Sequence, residues 1–436
     1  MTADYIIIGG GPGGYEVAHE LASAGKTVVL VEKDRLGGTC LNRGCIPTKA
    51  LAAAAERLLD IRSAPDFGIA VADCAADYAA AHRRAEEVVA TLRADVEQLL
   101  AGVTLVRGEA CFVSDSEVAV GAETYSAPSI IIATGSAPAP LRCPGAENAL
   151  TSDEFLAMEQ LPVGPVVIVG GGVIGLEFAS ILAAYGVEVS VVEFCKEVLP
   201  GIDSDLAKRL RQALTKRGIT FYCGTAVEEI APGRVVCSSR KGPVEIAAST
   251  VVAAVGRRAV LPPGLENTSV KLTERGFVEV DPATYRTAAE GIWAVGDVNG
   301  LCMLAHAAGA QARRAVGLPS EPELIPAVVF TTPQLATVGT GEGTTVRMPY
   351  GSNGKALADG HAEGVLKLTV DPADGRIVGC SILGAHAADL VAEATVAISA
   401  GFSPQRLAAV THAHPSLSEI LQAAARATAS KFSREQ

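Results

Sequence analysis

The 436-residue sequence predicts an α/β chain: two doubly wound units on parallel sheets, then a C-terminal α+β region. Three observations carry this prediction. A strand, glycine turn, helix, strand and acid follow one another twice. In both copies the first glycine and the acid are 23 positions apart, Gly9 to Glu32 and Gly170 to Glu193. From Ile325 the pattern changes to short strands of antiparallel character followed by helices.

Composition agrees. The chain is 49% hydrophobic with 45 glycines and only 4% aromatic residues, which suits close packing of helices on sheets in more than one core. A formal charge of −12 argues against nucleic acid as the main partner. No apolar run is long enough to span a membrane and no signal-peptide pattern opens the chain, so a cytoplasmic location is expected. The ten cysteines are scattered rather than arranged as a secreted disulfide framework.

The first unit starts with the apolar run Tyr5–Ile8, the pattern of a buried parallel strand. Gly9, Gly11 and Gly14 form a G-x-G-x-x-G turn, the helical stretch 15–22 follows, and Thr27–Glu32 makes the next strand. Such a turn lets a pyrophosphate approach a helix N-terminus, and the acid can accept a ribose hydroxyl. The second unit repeats this with Gly170, Gly172, Gly175 and Glu193. The chain therefore reads as two Rossmann-like dinucleotide-binding units.

Between the first acid and the helices lies Leu36-Gly-Gly-Thr39-Cys40-Leu-Asn-Arg-Gly44-Cys45-Ile-Pro-Thr-Lys49. Residues five apart on a regular helix are about 8.7 Å apart at Cα. A disulfide needs roughly 4.4–6.8 Å. If the two cysteines are bridged, the backbone between them is a distorted turn, which Gly37, Gly38 and Gly44 permit. Taken alone, the spacing leaves a redox pair, a zinc half-site and two unpaired thiols all open. A thiol near the following helix start, Arg43 and Lys49 is biased toward thiolate.

Residues 52–101 read as two long helices around a Pro65-Asp-Phe-Gly68 loop, and Val103–Val120 as strands. Ser129–Gly135 is a further strand-to-glycine turn with Thr134 before Gly135. Asn148–Val163 reads as a linker. Gly218–Val252 is strand-rich and runs to Gly256. Gly291–Asp297 is a strand ending in Gly-Asp, with Asp297 also a candidate N-cap for a helix over Met303–Val316. In the C-terminal region, strands are expected at Val328–Phe330, Leu335–Val338, Gly364–Val370 and Ile377–Leu383, and helices at Ala387–Ala400 and Ser403–Val410. Pro415 is expected to open a last helix, with His414 at its entry and Glu419 one turn in. A carboxylate so placed orients an imidazole for general acid–base work. His412 reads as structural.

These motifs together resemble the FAD-dependent pyridine nucleotide–disulfide oxidoreductases of class I, and among them the dihydrolipoamide dehydrogenase branch most. The resemblance covers nearly the whole chain. It implies a redox disulfide between Cys40 and Cys45, with His414 as acid/base and Glu419 orienting it. Lys49, after Cys-Ile-Pro, and Glu177, in Gly-Leu-Glu, would meet beside the flavin. FAD would be held by Gly9, Gly11, Gly14, Glu32, Thr39, Lys49, Thr134, Gly135, Asp297 and Ala305, and NAD by Gly170, Gly172, Gly175, Glu193 and Gly256. Gly135 and Gly256 stand at the family's two crossovers between its nucleotide domains. Glu193, with Lys196 the one base nearby, favours NAD over NADP. No metal site is expected.

The implied layout is an FAD domain at 1–147, an NAD domain at 148–262, a central return at 263–320 and a dimerisation region at 321–436. The implied partners are a second copy of the chain and a lipoyl-bearing protein of a 2-oxoacid dehydrogenase or glycine cleavage complex. The rival implications are a glutathione reductase-like or other small-disulfide reductase, and a catalytically silent flavoprotein. Mercuric reductases carry a C-terminal cysteine pair that the tail 424–436 lacks; single-cysteine relatives lack the C-x4-C. One departure stands out: the stretch from Gly339 to Pro349 is shorter than the family's usual helix-bearing segment.

Overall fold

A computed structural model describes residues 1–435; Gln436 lies outside the described residues. The first sheet is parallel, with spatial order Ile292–Ala294, Ser129–Ile132, Tyr5–Ile8, Val28–Glu32, Thr104–Arg107. Its central strands are apolar throughout because both faces are covered, and Ile6, Ile7, Ile130 and Ile131 are fully buried. The late strand Ile292–Ala294 returns the chain to this sheet. The second sheet has the order Thr220–Cys223, Val189–Glu193, Val166–Val169, Thr250–Ala253, Leu150–Thr151. Its packing is the same in kind, with helix Val173–Ala184 on one face.

The first and second crossovers meet. Strand Ser136–Pro138 pairs antiparallel with Arg257–Ala259 as a separate two-stranded ribbon between the two sheets. The C-terminal sheet has five antiparallel strands in the order Ala327–Val329, Gln334–Gly339, Ile377–Gly384, Val365–Val370, Thr344–Pro349. Helices Ala387–Ser399 and Glu419–Glu435 contribute to its core. Lys367, on its nearly buried strand, ties this sheet to the second unit through Asp203 (2.8 Å) and Asp205 (3.0 Å).

Several local expectations change. Residues 150–156 are not an open linker: Leu150–Thr151 adds an edge strand, and Thr151 and Glu154 form a reciprocal capping box that starts helix Ser152–Leu156. The two long helices are Cys45–Ser63 and Tyr78–Leu99, joined by a longer connection than the Pro65 loop alone. The shortened stretch contains the edge strand Thr344–Pro349, so what remains pairs with the sheet directly. Asp297 is no helix N-cap. It lies in the 3-10 turn Gly296–Asn299, and the next helix, Ala305–Ala315, starts after Leu304. The last helix begins at Glu419, not Pro415. Residues before it are held outside the helix because Asn353 Nδ2 donates to the Ser416 carbonyl and Glu419 accepts from the Ser416 amide.

Candidate active site

The glycine turns are built as their spacing requires. Gly9 has φ 111°, and a Cβ there would lie 2.3 Å from the Ala133 carbonyl oxygen. A Cβ on Gly14 would lie 1.9 Å from the Gly9 carbonyl oxygen. The second turn repeats both constraints: 2.3 Å from Gly170 to Ala254 O, and 2.0 Å from Gly175 to Gly170 O. The middle glycines differ. A Cβ on Gly172 meets nothing within 4 Å, and one on Gly11 meets only Gly38 Cα at 3.8 Å. Their missing side chains leave open the place where a pyrophosphate approaches the backbone. Helices Pro12–Ser23 and Val173–Ala184 both start without a side-chain cap, so no capping side chain occupies the space before their first turns, although the Gly14 amide already donates to Gly11 O at 2.8 Å.

Both acids are buried and fixed. Glu32 accepts from the amides of Gly10 (2.6 Å) and Asp34 (2.7 Å). Glu193 accepts from Gly171 (2.6 Å) and Cys195 (2.7 Å). Each carboxylate is thus locked against its own glycine turn. Carboxylate oxygens accept several bonds, so each retains capacity for a ribose hydroxyl. Glu32 and Thr134 line one cavity, together with Gly9. All these groups sit at the carboxyl ends of parallel strands, where such sheets bind ligands. Asp297 and Thr134 lie just beyond the ends of the neighbouring strands Ile292–Ala294 and Ser129–Ile132, at that same edge. Ala305 opens a helix that also lacks a side-chain cap. Gly135 and Gly256 have φ 69° and 103°. The residues present therefore fit two dinucleotides.

The cysteine stretch docks on the first turn. The Gly37 amide donates to Gly10 O at 2.8 Å, and a Cβ on Gly38 would come 2.7 Å from Gly11 Cα. A short helix, Gly38–Arg43, carries Thr39 and Cys40. It breaks at Gly44, and helix Cys45–Ser63 begins at once. The break is what brings two residues five apart within thiol–thiol reach. Both cysteines are free thiols in the structure. Asn42 staples the segment, donating to the carbonyls of Leu36 and Gly38 at 2.9 Å each, and accepting from Arg93 Nε at 2.9 Å.

The two sulfurs are electrostatically unequal. A hydrogen bond from Cys40 lowers the Cys45 thiol to about 7 against the opposing effect of burial, and the Lys49 charge helps. The same hydrogen bond, with burial, pushes Cys40 strongly up. So Cys45 holds the thiolate and Cys40 the proton.

Lys49 and Glu177, 128 positions apart, form an ion pair at 2.8 Å. Glu177 is buried and also accepts from the Phe330 amide at 2.9 Å. The Phe330 ring lies 4.6 Å from the Lys49 ammonium. The first unit, the second unit and the C-terminal region therefore meet at this pair. An open cavity beside Cys40 is lined by Tyr15, Leu41, Leu92, Asp95 and Leu99 among others. Burial, then Glu16, pushes the Tyr15 phenol up to about 12.

His414 and Glu419 form a second cluster. His414 Nδ1 is 3.0 Å from Glu419 Oε1, and Glu419 is held below the usual carboxylate range by the Ser416 amide and by His414. The imidazole is 80% exposed, and no hydrogen bond or ion pair joins it to either cysteine of its own chain. His412 is buried against Glu393 at 2.7 Å, a structural pairing.

The sequence assigns no site role to Phe330, Ser136 or Arg257. The last two directly follow quoted glycines, Gly135 and Gly256, and adjacency to those crossovers was the available signal.

Two nucleotide sites flanking a cysteine pair of unequal acidity define a disulfide oxidoreductase that works with two dinucleotide cofactors. Residues 3–312 match the family model of pyridine nucleotide-disulphide oxidoreductase, and residues 325–425 match that family's dimerisation domain. The chain belongs to the pyridine nucleotide-disulphide oxidoreductase family, whose cofactors are FAD and NAD(H). It is 39% identical to dihydrolipoyl dehydrogenase 2 of Haloarcula marismortui over 97% of this chain and 96% of that protein. It is 37% identical to dihydrolipoyl dehydrogenase of Geobacillus stearothermophilus, covering 98% and 96%. Among solved structures it resembles LpdA of Mycobacterium tuberculosis, with TM-score 0.88, 28% identity and coverage of 97% and 99%. It also resembles the HOCl-induced flavoprotein disulfide reductase RclA of Escherichia coli, with TM-score 0.85, 29% identity and coverage of 97% and 99%. Among the described residues no helix is long and apolar enough to cross a membrane.

Proposed function

We propose that the protein is a dihydrolipoyl dehydrogenase, oxidising protein-bound dihydrolipoamide to lipoamide through a Cys40–Cys45 disulfide, with FAD and NAD+ as cofactors. The observation that carries this reading is the unequal cysteine pair beside Lys49–Glu177, with a separate His414–Glu419 pair in the same chain. Full-length similarity to dihydrolipoyl dehydrogenases supports it.

His414 takes a proton from one substrate thiol, and Glu419 stabilises the resulting imidazolium. The substrate thiolate attacks Cys40 Sγ, breaking the Cys40–Cys45 bond and releasing Cys45 as thiolate. The second substrate thiol then attacks the mixed disulfide, its proton passing to Cys40 as that sulfur leaves, and the oxidised dithiolane closes. Lys49 and the hydrogen bond from Cys40 hold the charge on Cys45. The Cys40–Cys45 bond then re-forms with loss of the Cys40 proton, and FAD, where bound, would supply the redox chemistry that carries the electron pair on to NAD+. Glu32 and Glu193 fix the two nucleotides at their riboses, Asp297 and Ala305 hold the flavin end, and Thr39, Thr134, Gly135 and Gly256 line the approaches.

The chain is divided into an FAD domain at 1–147, an NAD domain at 148–262, a central return at 263–320 and a dimerisation region at 321–436, in a cytoplasmic homodimer. The partner is a lipoyl-bearing protein of a 2-oxoacid dehydrogenase or glycine cleavage complex. The cavity at Cys40 is lined mainly by aliphatic side chains, with Asp95 the charged one. That suits an aliphatic lipoyl arm better than a charged glutathione tripeptide. The second reading, a reductase running from NADH to a small disulfide, is favoured by the likeness to RclA. The deciding assay follows nicotinamide absorbance with dihydrolipoamide and NAD+, against glutathione disulfide and NAD(P)H. Rapid NADH formation from the first pair is expected; turnover confined to the second pair would replace this reading with the reductase one.

A further inference from the structure

Asp297, Ser136 and Arg257 lie far apart in sequence, on the central return and on the two crossovers. In the structure they form one chain of hydrogen bonds. Arg257 Nε donates to Ser136 Oγ at 2.7 Å, and Arg257 Nη2 donates to the Ser136 carbonyl at 2.8 Å. Ser136 Oγ bonds to Asp297 Oδ2 at 2.5 Å. The direction of this relay follows from chemistry. A guanidinium has donors and no acceptor, so Ser136 Oγ must accept from Arg257. Its single hydrogen is then committed to Asp297, which must accept it. Ser136 is buried and the Arg257 side chain is only 12% exposed, so water competes little for these bonds.

Two consequences follow from that fixed direction. Asp297 Oδ2 is occupied, while Oδ1 accepts from no protein donor among the described residues. The carboxylate is therefore held in one rotamer with one oxygen free. Arg257 also lies 3.9 Å from Asp153, on the capped helix Ser152–Leu156 that flanks the second sheet. The relay thus runs from the second nucleotide unit, across the crossover ribbon, to the edge of the first sheet.

We propose that Ser136 and Arg257 are positioning residues that hold Asp297 with its free oxygen toward the polyol chain of bound FAD. This rests on the reading of Asp297 as a flavin-holding residue. The hydroxyl of Ser136 acts on FAD only through Asp297, and Arg257 acts only through Ser136. The pairing of Ser136–Pro138 with Arg257–Ala259 supplies the rigidity, since the ribbon fixes both side chains relative to one another.

The test is a cycle of FAD affinities measured on the full-length protein, stripped of FAD and titrated while flavin fluorescence is followed. Ser136→Ala should weaken FAD binding about tenfold, the scale of one lost hydrogen bond to a charged group. Asp297→Ala should weaken it at least as much. The double variant should bind FAD no more weakly than Asp297→Ala alone, and Ser136→Thr, which keeps the hydroxyl, should restore most of the affinity. If Asp297→Ala leaves FAD affinity unchanged, the flavin reading of Asp297 itself is wrong. If Asp297→Ala weakens binding but Ser136→Ala does not, or if the two losses add, the relay is wrong and the flavin reading stands. Should Ser136→Ala fail to fold, Arg257→Lys enters the same cycle. A lysine cannot hold both Ser136 oxygens as the fork does, so it should also weaken FAD binding, non-additively with Asp297→Ala; additive loss or no loss overturns the relay.

Discussion

At the residue scale the site rests on charge placed next to sulfur. Cys45 is lowered to about 7 by the Cys40 hydrogen bond and by Lys49, and Cys40 is raised. In the two-electron-reduced enzyme, the Cys45 thiolate should therefore give a charge-transfer band with FAD that appears as pH rises through about 7. Below that pH the thiolate takes up a proton and the band fades. Lys49→Met removes the cation that favours the thiolate, so the midpoint should move up toward the ordinary thiol value. Cys40→Ser should keep a thiolate band in the oxidised enzyme, while Cys45→Ser should lose it; the reverse pattern would exchange the two roles. At the second nucleotide site, Glu193 is immobilised by two amides and cannot swing away from a 2′-phosphate. Catalytic efficiency should favour NAD+ over NADP+ by at least about tenfold, and comparable values would contradict that assignment. Lys49 and Glu177 were legible only through the motifs around them. Nothing in a helix pattern says that a lysine will find a glutamate 128 positions away. Phe330, whose amide completes that pair, carries no sequence signal at all, because a backbone donor has no residue identity.

At the element scale the two glycine turns share a sequence pattern but not one physical role per glycine. Gly14 is needed by the fold, since a Cβ there would strike the Gly9 carbonyl at 1.9 Å. Gly172 is needed only by a ligand, since its Cβ would meet nothing within 4 Å. Gly14→Ala should therefore lower thermal stability and FAD content together. Gly172→Ala should leave the melting temperature of the NAD-free enzyme near that of the parent while raising KM for NAD+. A large loss of stability in Gly172→Ala would show that its turn is packed rather than open. The strands and long helices of both units were legible because apolar runs and glycines mark them plainly. The final helix was not. Pro415 is a good first-turn residue, yet the side chains of Asn353 and Glu419 bond the Ser416 backbone and hold residues 414–418 in a loop. The edge strand Thr344–Pro349 was missed for a similar reason: its pattern is weak, and its place is set by pairing with Val365–Val370.

At the scale of the whole molecule the chain presents two half-sites. Cys40, Cys45, Lys49 and Glu177 gather where three regions meet, while His414 and Glu419 stand apart with the imidazole 80% exposed. No hydrogen bond or ion pair joins this proposed acid/base to the sulfurs of its own chain. The match of residues 325–425 to a dimerisation domain supports a second subunit as the place where this imidazole would act. The central claim is that each active site combines the cysteine pair of one subunit with the histidine of the other. The direct measurement is complementation: an inactive Cys40→Ser chain and an inactive His414→Ala chain are mixed under subunit exchange, and dihydrolipoamide-dependent NADH formation is followed. The mixed dimer would then contain one site with both defects and one intact site, so activity should return as subunits exchange. If each site uses its own chain's histidine, every site keeps a defect, and activity stays absent however long the exchange runs.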